Sequence, residues 1–163
     1  MPEVVVALGS NMGDRLSHLK SAVVFLQTIS SKPIRVSPVY ESDPVGPGTM
    51  PFYNAVVAIH THVYPSKLMP QLKAFEILEG RAPNAPRWSD RPLDLDIIGW
   101  GRRRFLSSDV TIPHASYRDR LFVLLPLRDI CPNWIDPLYG TPLQGMIDRA
   151  QPMNIHKLDQ YLT

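Results

Sequence analysis

The chain begins with an unbroken apolar run, Val4-Val5-Val6-Ala7-Leu8, with no polar alternation inside it. Such a run reads as a strand covered on both faces, so residues 3–8 are expected at the centre of a sheet. It gives way to Gly9-Ser10-Asn11 and Met12-Gly13-Asp14. Glycine there permits a tight turn and close backbone approach to a ligand. An ordinary strand-to-helix turn capped by Asn11 or Asp14 accounts for the same residues. From 14 to 29, Leu16, Leu19, Ala22, Val23 and Leu26 recur at spacings of three and four, the stripe of an amphipathic helix. Residues 34–40 read as a second strand. Residues 41–51 form a proline-rich loop, either a cover for a ligand or a plain connector.

Residues 52–61 form a third strand, apolar enough to be central. Ser66 is expected to cap a second helix reaching Glu79, with Leu68, Leu72, Phe75 and Glu76 near its inner side and Gly80 stopping it. A strand over 94–98 follows, then a tight hairpin over 99–106 with Arg102, Arg103 and Arg104 at its turn. Helices are expected over 121–130, packed on the sheet, and over 143–150. The order β-α-β-β-α-β predicts an α+β fold, a ferredoxin-like sandwich with an added hairpin and C-terminal helices. Its sheet is expected to be antiparallel with helices on one face, in a single domain over 1–163.

The densest chemistry lies in Arg87-Trp88-Ser89-Asp90-Arg91-Pro92-Leu93-Asp94-Leu95-Asp96-Ile97-Ile98. Strand side chains alternate faces, so Asp94 and Asp96 share one face and Leu95 takes the other. Two neighbouring carboxylates repel and carry a desolvation cost, which calls for cations. Arg87 and Arg91 can contribute, and a divalent metal is the more economical partner, with Mg²⁺ keeping positions for water and phosphates. A solvated strand end explains a bare pair of acids equally well; two arginines and a tryptophan shift the reading toward a phosphate and metal site. Asn54, at the start of an apolar strand, either satisfies backbone or reads the edge of a heterocycle.

Composition narrows the function classes. The 163 residues are 44% hydrophobic and 20% charged, as in an ordinary soluble globular protein. A net charge of +2 is too small to argue for duplex nucleic acid or an anionic membrane. Cys131 is the single cysteine, which excludes an internal disulfide and suits a reducing cytosol. No apolar stretch approaches the roughly 20 residues that span a bilayer, and no secretory signal opens the chain. A cytoplasmic monomer without nucleic-acid or membrane partners is expected. A sheet that stacks single-stranded RNA is the main alternative, but its glycine-aromatic signature is missing.

Three blocks together resemble the 6-hydroxymethyl-7,8-dihydropterin pyrophosphokinase family over nearly the whole chain. They are Gly9-Ser10-Asn11, then Phe52-Tyr53-Asn54-Ala55-Val56, then Arg91-Pro92-Leu93-Asp94-Leu95-Asp96-Ile97-Ile98 with Ile112-Pro113-His114 downstream. The resemblance implies transfer of pyrophosphate from ATP to the hydroxymethyl oxygen of a reduced pterin in folate biosynthesis. It implies two Mg²⁺ ions on Asp94 and Asp96, and catalytic roles for Arg81, Arg91 and Arg120 on the triphosphate. Glu76, Trp88, Ile97, Thr111 and His114 would lie around the nucleotide. Phe52 and Phe122 would sandwich the pterin and Asn54 read its edge, with Gly9, Ser42, Asp43, Pro44 and Val45 completing the pocket. Ser89-Asp90, Pro83 and Ala115 depart from the family pattern, and Asp90 adds negative charge beside the implied triphosphate. A non-catalytic relative that binds without turnover is the second alternative.

Overall fold

The computed structural model describes residues 2–44, 50–86 and 89–163. Strand β1 (Glu3–Ser10) lies between β4 (Phe52–His60) and β5 (Asp94–Trp100), antiparallel to both. On its far side β4 pairs with β2 (Arg35–Val36) and β3 (Tyr40–Ser42), and β3 pairs with the last strand, β8 (Ile155–Lys157). The spatial order is β5-β1-β4-β3-β8. Helix α1 (Arg15–Ile29) carries the chain from β1 past β4, and α2 (Pro65–Leu78) carries it from β4 past β1 to β5. Two strand-skipping crossovers in an antiparallel sheet give the ferredoxin-like arrangement.

Local chemistry sets the element ends. Asp14 caps α1, its Oδ1 accepting from the Ser17 N–H at 3.1 Å, which decides between Asn11 and Asp14. Helix α2 starts at Pro65, one residue before the expected cap Ser66, which makes no capping bond. Proline suits a first helical position because its missing N–H has no partner there anyway. Gly80, at φ +111, turns the chain out of α2. The expected strand over 34–40 is divided at Pro38, which has no N–H to offer a ladder. Ser37 bridges the break: its Oγ accepts from the Val56 N–H and its own N–H donates to the Val56 carbonyl, both at 2.9 Å.

The hairpin expected over 99–106 takes a different form. Strand β5 continues to Trp100, the chain turns at Gly101, and the ladder forms between β6 (Phe105–Leu106) and β7 (Thr111–Ile112). The three arginines stay exposed on that turn.

Two apolar layers sandwich the sheet. On one face Val4, Val6, Leu8, Leu95 and Ile97 pack with Leu19 and Leu26 of α1 and Leu68 and Leu72 of α2. On the other, Val5, Val56 and Ile98 meet Val123, Leu124 and Leu127 of α3 (Leu121–Ile130) and Leu143 and Met146 of α4 (Leu143–Arg149). Helices therefore cover both faces, not the single face expected, because alternate residues of β1 and β4 are apolar on both sides. Gly99 makes this second layer possible: a Cβ there would stand 2.2 Å from the Trp134 ring. Toward Gly9, Asp94 and Asp96 that same face opens into a cleft.

Candidate active site

The cleft is open to solvent, and its empty space, counting the part open to solvent, is about 710 Å³. Gly9, Ser42, Asp43, Phe52 and Asn54 line it from β1, β3 and β4; Arg91, Asp94, Asp96, His114, Arg120 and Phe122 line it from β5 and the segments around it. The register explains the meeting, since Gly9 pairs with Asn54 on one side and with Asp94 on the other.

One end of the cleft is aromatic. Phe52 and Phe122 both face it, and the Arg120 guanidinium lies 5.7 Å over the Phe122 ring. A Cβ on Gly9 would sit 3.4 Å from Phe52 Cδ1, so glycine keeps the floor beside that ring low. Asn54 is buried, and its amide nitrogen donates to Ser42 Oγ at 2.8 Å and to the Tyr40 carbonyl at 3.3 Å. With both hydrogens committed inward, the group that Asn54 can offer a ligand is its oxygen, an acceptor.

The other end is ionic: Arg91, Asp94 and Asp96 line it, and Lys73, Glu76 and Arg81 stand behind the two acids, outside the cleft lining. Arg81 Nη1 donates to Asp94 Oδ1 at 3.1 Å, and Arg91 Nη1 stands 3.4 Å from the same oxygen. Lys73 Nζ is 3.6 Å from Asp96 Oδ1. Glu76 lies wholly buried beneath this pair, bonded to Arg81, to Lys73 Nζ at 2.9 Å and to the Leu95 N–H at 2.7 Å. Lys73 also donates to the Leu95 carbonyl at 2.8 Å, so α2 side chains satisfy backbone groups of the edge strand.

These neighbours split the two aspartates. Burial pushes Asp96 up to about 6, helped by the charge of Asp94 and opposed by Lys73. Asp94 suffers the same burial, yet Lys73, Arg91 and Arg81 together hold it below the usual carboxylate range. Burial, then the charge of Arg120, lowers His114 to about 4, so its ring is neutral near pH 7. The Ser116 N–H donates to His114 Nδ1 at 3.1 Å, which leaves the ring proton on Nε2 as a donor.

Other selected residues sit elsewhere. Ile97 is buried in the core on the opposite face, so its side chain does not reach the cleft. Thr111 is exposed on β7. Pro44 borders an adjoining surface depression with Arg120 and Phe122. Val45, Arg87 and Trp88 lie outside the described residues.

Two roles escaped the sequence reading. Lys73 was visible only as the i, i+3 partner of Glu76 on α2. Asn11, read there as a cap, instead clamps three segments. Its Nδ2 donates to Asp90 Oδ1 at 2.7 Å and to the Met50 carbonyl at 3.2 Å, while its Oδ1 accepts from the Arg91 N–H at 2.7 Å. The extra charge of Asp90 is thus turned onto Asn11.

Comparison with known proteins agrees with this geometry. Residues 5–132 match the model of the family described as 7,8-dihydro-6-hydroxymethylpterin-pyrophosphokinase (HPPK). The "Folate synthesis bifunctional protein" of Arabidopsis thaliana is 40% identical over 129 residues, 78% of this chain but 27% of that protein. A Pseudomonas aeruginosa protein named 2-amino-4-hydroxy-6-hydroxymethyldihydropteridine pyrophosphokinase is 38% identical over 132 residues, 80% of this chain and 81% of its own. The fold matches Plasmodium falciparum HPPK-DHPS at a TM-score of 0.72 and 15% identity, over 90% of this chain and 44% of that one. With a match over most of its length and the acid pair, the strand glycine Gly9 and the aromatic walls in one cleft, this chain belongs to the 7,8-dihydro-6-hydroxymethylpterin-pyrophosphokinase family.

Proposed function

We propose that this chain transfers the terminal diphosphate of ATP to the hydroxymethyl oxygen of 6-hydroxymethyl-7,8-dihydropterin, a step of folate biosynthesis. The oxygen attacks the β-phosphorus, an O–P bond forms, and the bond to the α-phosphate oxygen breaks to release AMP. The observation that carries the reading is one cleft with an aromatic, acceptor-bearing end and an ionic end built on Asp94 and Asp96.

The ionic end fits Mg²⁺. Glu76 is committed to Arg81, Lys73 and the Leu95 N–H, so Asp94 and Asp96 are the pair that offers hard oxygen groups to the cleft and would leave the remaining metal positions to phosphate and water. The Lys73 ammonium resting near Asp96 marks a place where a cation is favoured. Asp94 and Asp96 would hold the metal, which would supply positive charge against the triphosphate and a fixed orientation for the attacked phosphorus.

The chain's own groups do the positioning that dominates phosphoryl transfer. Arg91 and Arg120 line the cleft as forks suited to phosphate oxygens. His114 Nε2–H would donate to a phosphate oxygen as a neutral ring. Phe52 and Phe122 would stack on the pterin, and Asn54 Oδ1 would accept from its N–H edge. Because one chain supplies every group of the cleft, a single-domain monomer suffices. Among the described residues no helix is long and apolar enough to cross a membrane, and the reading places the reaction in the cytoplasm.

Chromatography of a reaction containing ATP, the pterin and Mg²⁺ tests this. AMP and pterin diphosphate should appear in equal amounts; ADP in place of AMP, or no turnover, contradicts it.

A further inference from the structure

The ionic end of the cleft is already balanced without metal. Glu76, Asp94 and Asp96 face Lys73, Arg81 and Arg91, each acid touching at least one of these cations. The three cations differ in how they are held. Arg81 forks between Glu76 and Asp94 with 22% of its side chain exposed, and Arg91 has 12% exposed. Lys73 is 41% exposed, and its hold on Asp96 at 3.6 Å is its longest, against 2.9 Å to Glu76 and 2.8 Å to the Leu95 carbonyl. A lysine ammonium is a compact charge on a flexible stem, so it can leave one partner while keeping the other two.

We propose that Lys73 is a displaceable counter-cation: in the nucleotide-free protein it occupies a metal position on Asp96, and it gives that position up when metal arrives with a triphosphate whose oxygens take the lysine charge. The inference deepens the metal reading of Asp94 and Asp96 and rests on it. A metal ion arriving alone would compete with Lys73 and leave the cluster with excess positive charge. Metal and triphosphate arriving together restore the balance, and the freed ammonium gains phosphate partners. Lys73 is thus a positioning residue that couples metal binding to nucleotide binding. If it served only as a strut for Glu76, removing its charge would change metal affinity to the same extent with and without the nucleotide.

Manganese binding read by electron paramagnetic resonance separates the two roles. Lys73→Gln keeps a donor for Glu76 and the Leu95 carbonyl but removes the charge, and its fold is checked by circular dichroism and thermal unfolding. The nucleotide-free variant should bind Mn²⁺ more tightly than the parent by about twofold to fivefold. With saturating Mg²⁺ it should bind a non-hydrolysable ATP analogue more weakly, by about twofold to fivefold. Lys73→Arg should restore the parental order. Two controls isolate the underlying reading: the parent with analogue should bind Mn²⁺, and Asp96→Asn should lose it. If both controls hold and Lys73→Gln leaves nucleotide-free Mn²⁺ affinity unchanged or weaker, or raises it equally with the analogue present, the inference is overturned and Lys73 is a strut. If the parent with analogue takes no Mn²⁺, or Asp96→Asn retains it, the metal reading itself fails and the inference with it.

Discussion

On strand β5, Leu95 and Ile97 enter the core beneath α1 and α2 with at most 1% of their surface exposed. Their neighbours Asp94 and Asp96 face the cleft on the other side with 25% and 32% of their side chains accessible. Strand β1 divides in the same way: Val4, Val6 and Leu8 fill the α1–α2 layer, while Val5, Ala7 and Gly9 run from the α3 layer into the cleft floor. A period of two thus lets one strand serve packing and chemistry without sharing a side chain. The apolar face holds the strand rigid, so that the acids on the opposite face, of which Asp96 is charged only against burial and the repulsion of Asp94, stay aimed.

Substitutions on the two faces should therefore fail in different currencies. Asp96→Ala should lower kcat by about a hundredfold or more, as removal of a group acting on transition-state charge does. Its thermal midpoint in the absence of metal should be equal to or above the parent's, because a buried acid has been removed. Near-parental turnover at saturating Mg²⁺ would break the division. Leu95→Ala, one residue away, should cost about 2–5 kcal/mol in urea unfolding through the cavity it leaves. The fraction that remains folded should keep most of its turnover. A Leu95→Ala enzyme that is stable but inactive would show that the faces are not separable.

Within the cleft the same logic sharpens to two ends. Phe122→Ala should weaken pterin binding by about tenfold, the scale of one lost aromatic stacking contact. Nucleotide affinity should stay near the parental value; equal losses by calorimetry would argue against separate aromatic and ionic ends. The smallest effect concerns pH. Asp96, raised to about 6 in the metal-free fold from 3.8, binds its proton more tightly when folded. It contributes stability in full below about pH 4 and loses that contribution as pH rises through about 6. Metal bound at Asp96 as proposed would have to displace this proton below about pH 6, so affinity should fall there by up to about tenfold per pH unit. The increase in melting temperature that Mg²⁺ confers with an ATP analogue should accordingly be larger at pH 7.5 than at pH 5.

Much of this division is legible in the sequence, for reasons that also set its limits. The unbroken run in β1 already requires two covered faces, and the spacing of Asp94 and Asp96 requires one shared face. Which layer α3 joins is a different matter, since an apolar stripe shows that a helix packs and not against what. Strands β6, β7 and β8 span only two or three residues each, too short for a period to register. The placement of Gly9 beside both Asn54 and Asp94 follows from strand order, which no local pattern encodes. Family resemblance supplied those residues, but it gave Ile97 a place at the nucleotide while its side chain fills the opposite core. Lys73 has no local signal for its role because that comes from a distant partner, Asp96; Asn11 is visible at its turn and in the Gly9-Ser10-Asn11 block, but its bond to Asp90 is not.

The central claim is that the ionic end binds metal with a triphosphate and that the aromatic end binds the pterin beside it. Calorimetric titration of a non-hydrolysable ATP analogue, with and without Mg²⁺ and then with pterin added, tests it most directly. The account predicts nucleotide binding that depends on Mg²⁺ and that promotes pterin binding. Nucleotide binding indifferent to Mg²⁺, or none in either condition, would contradict it.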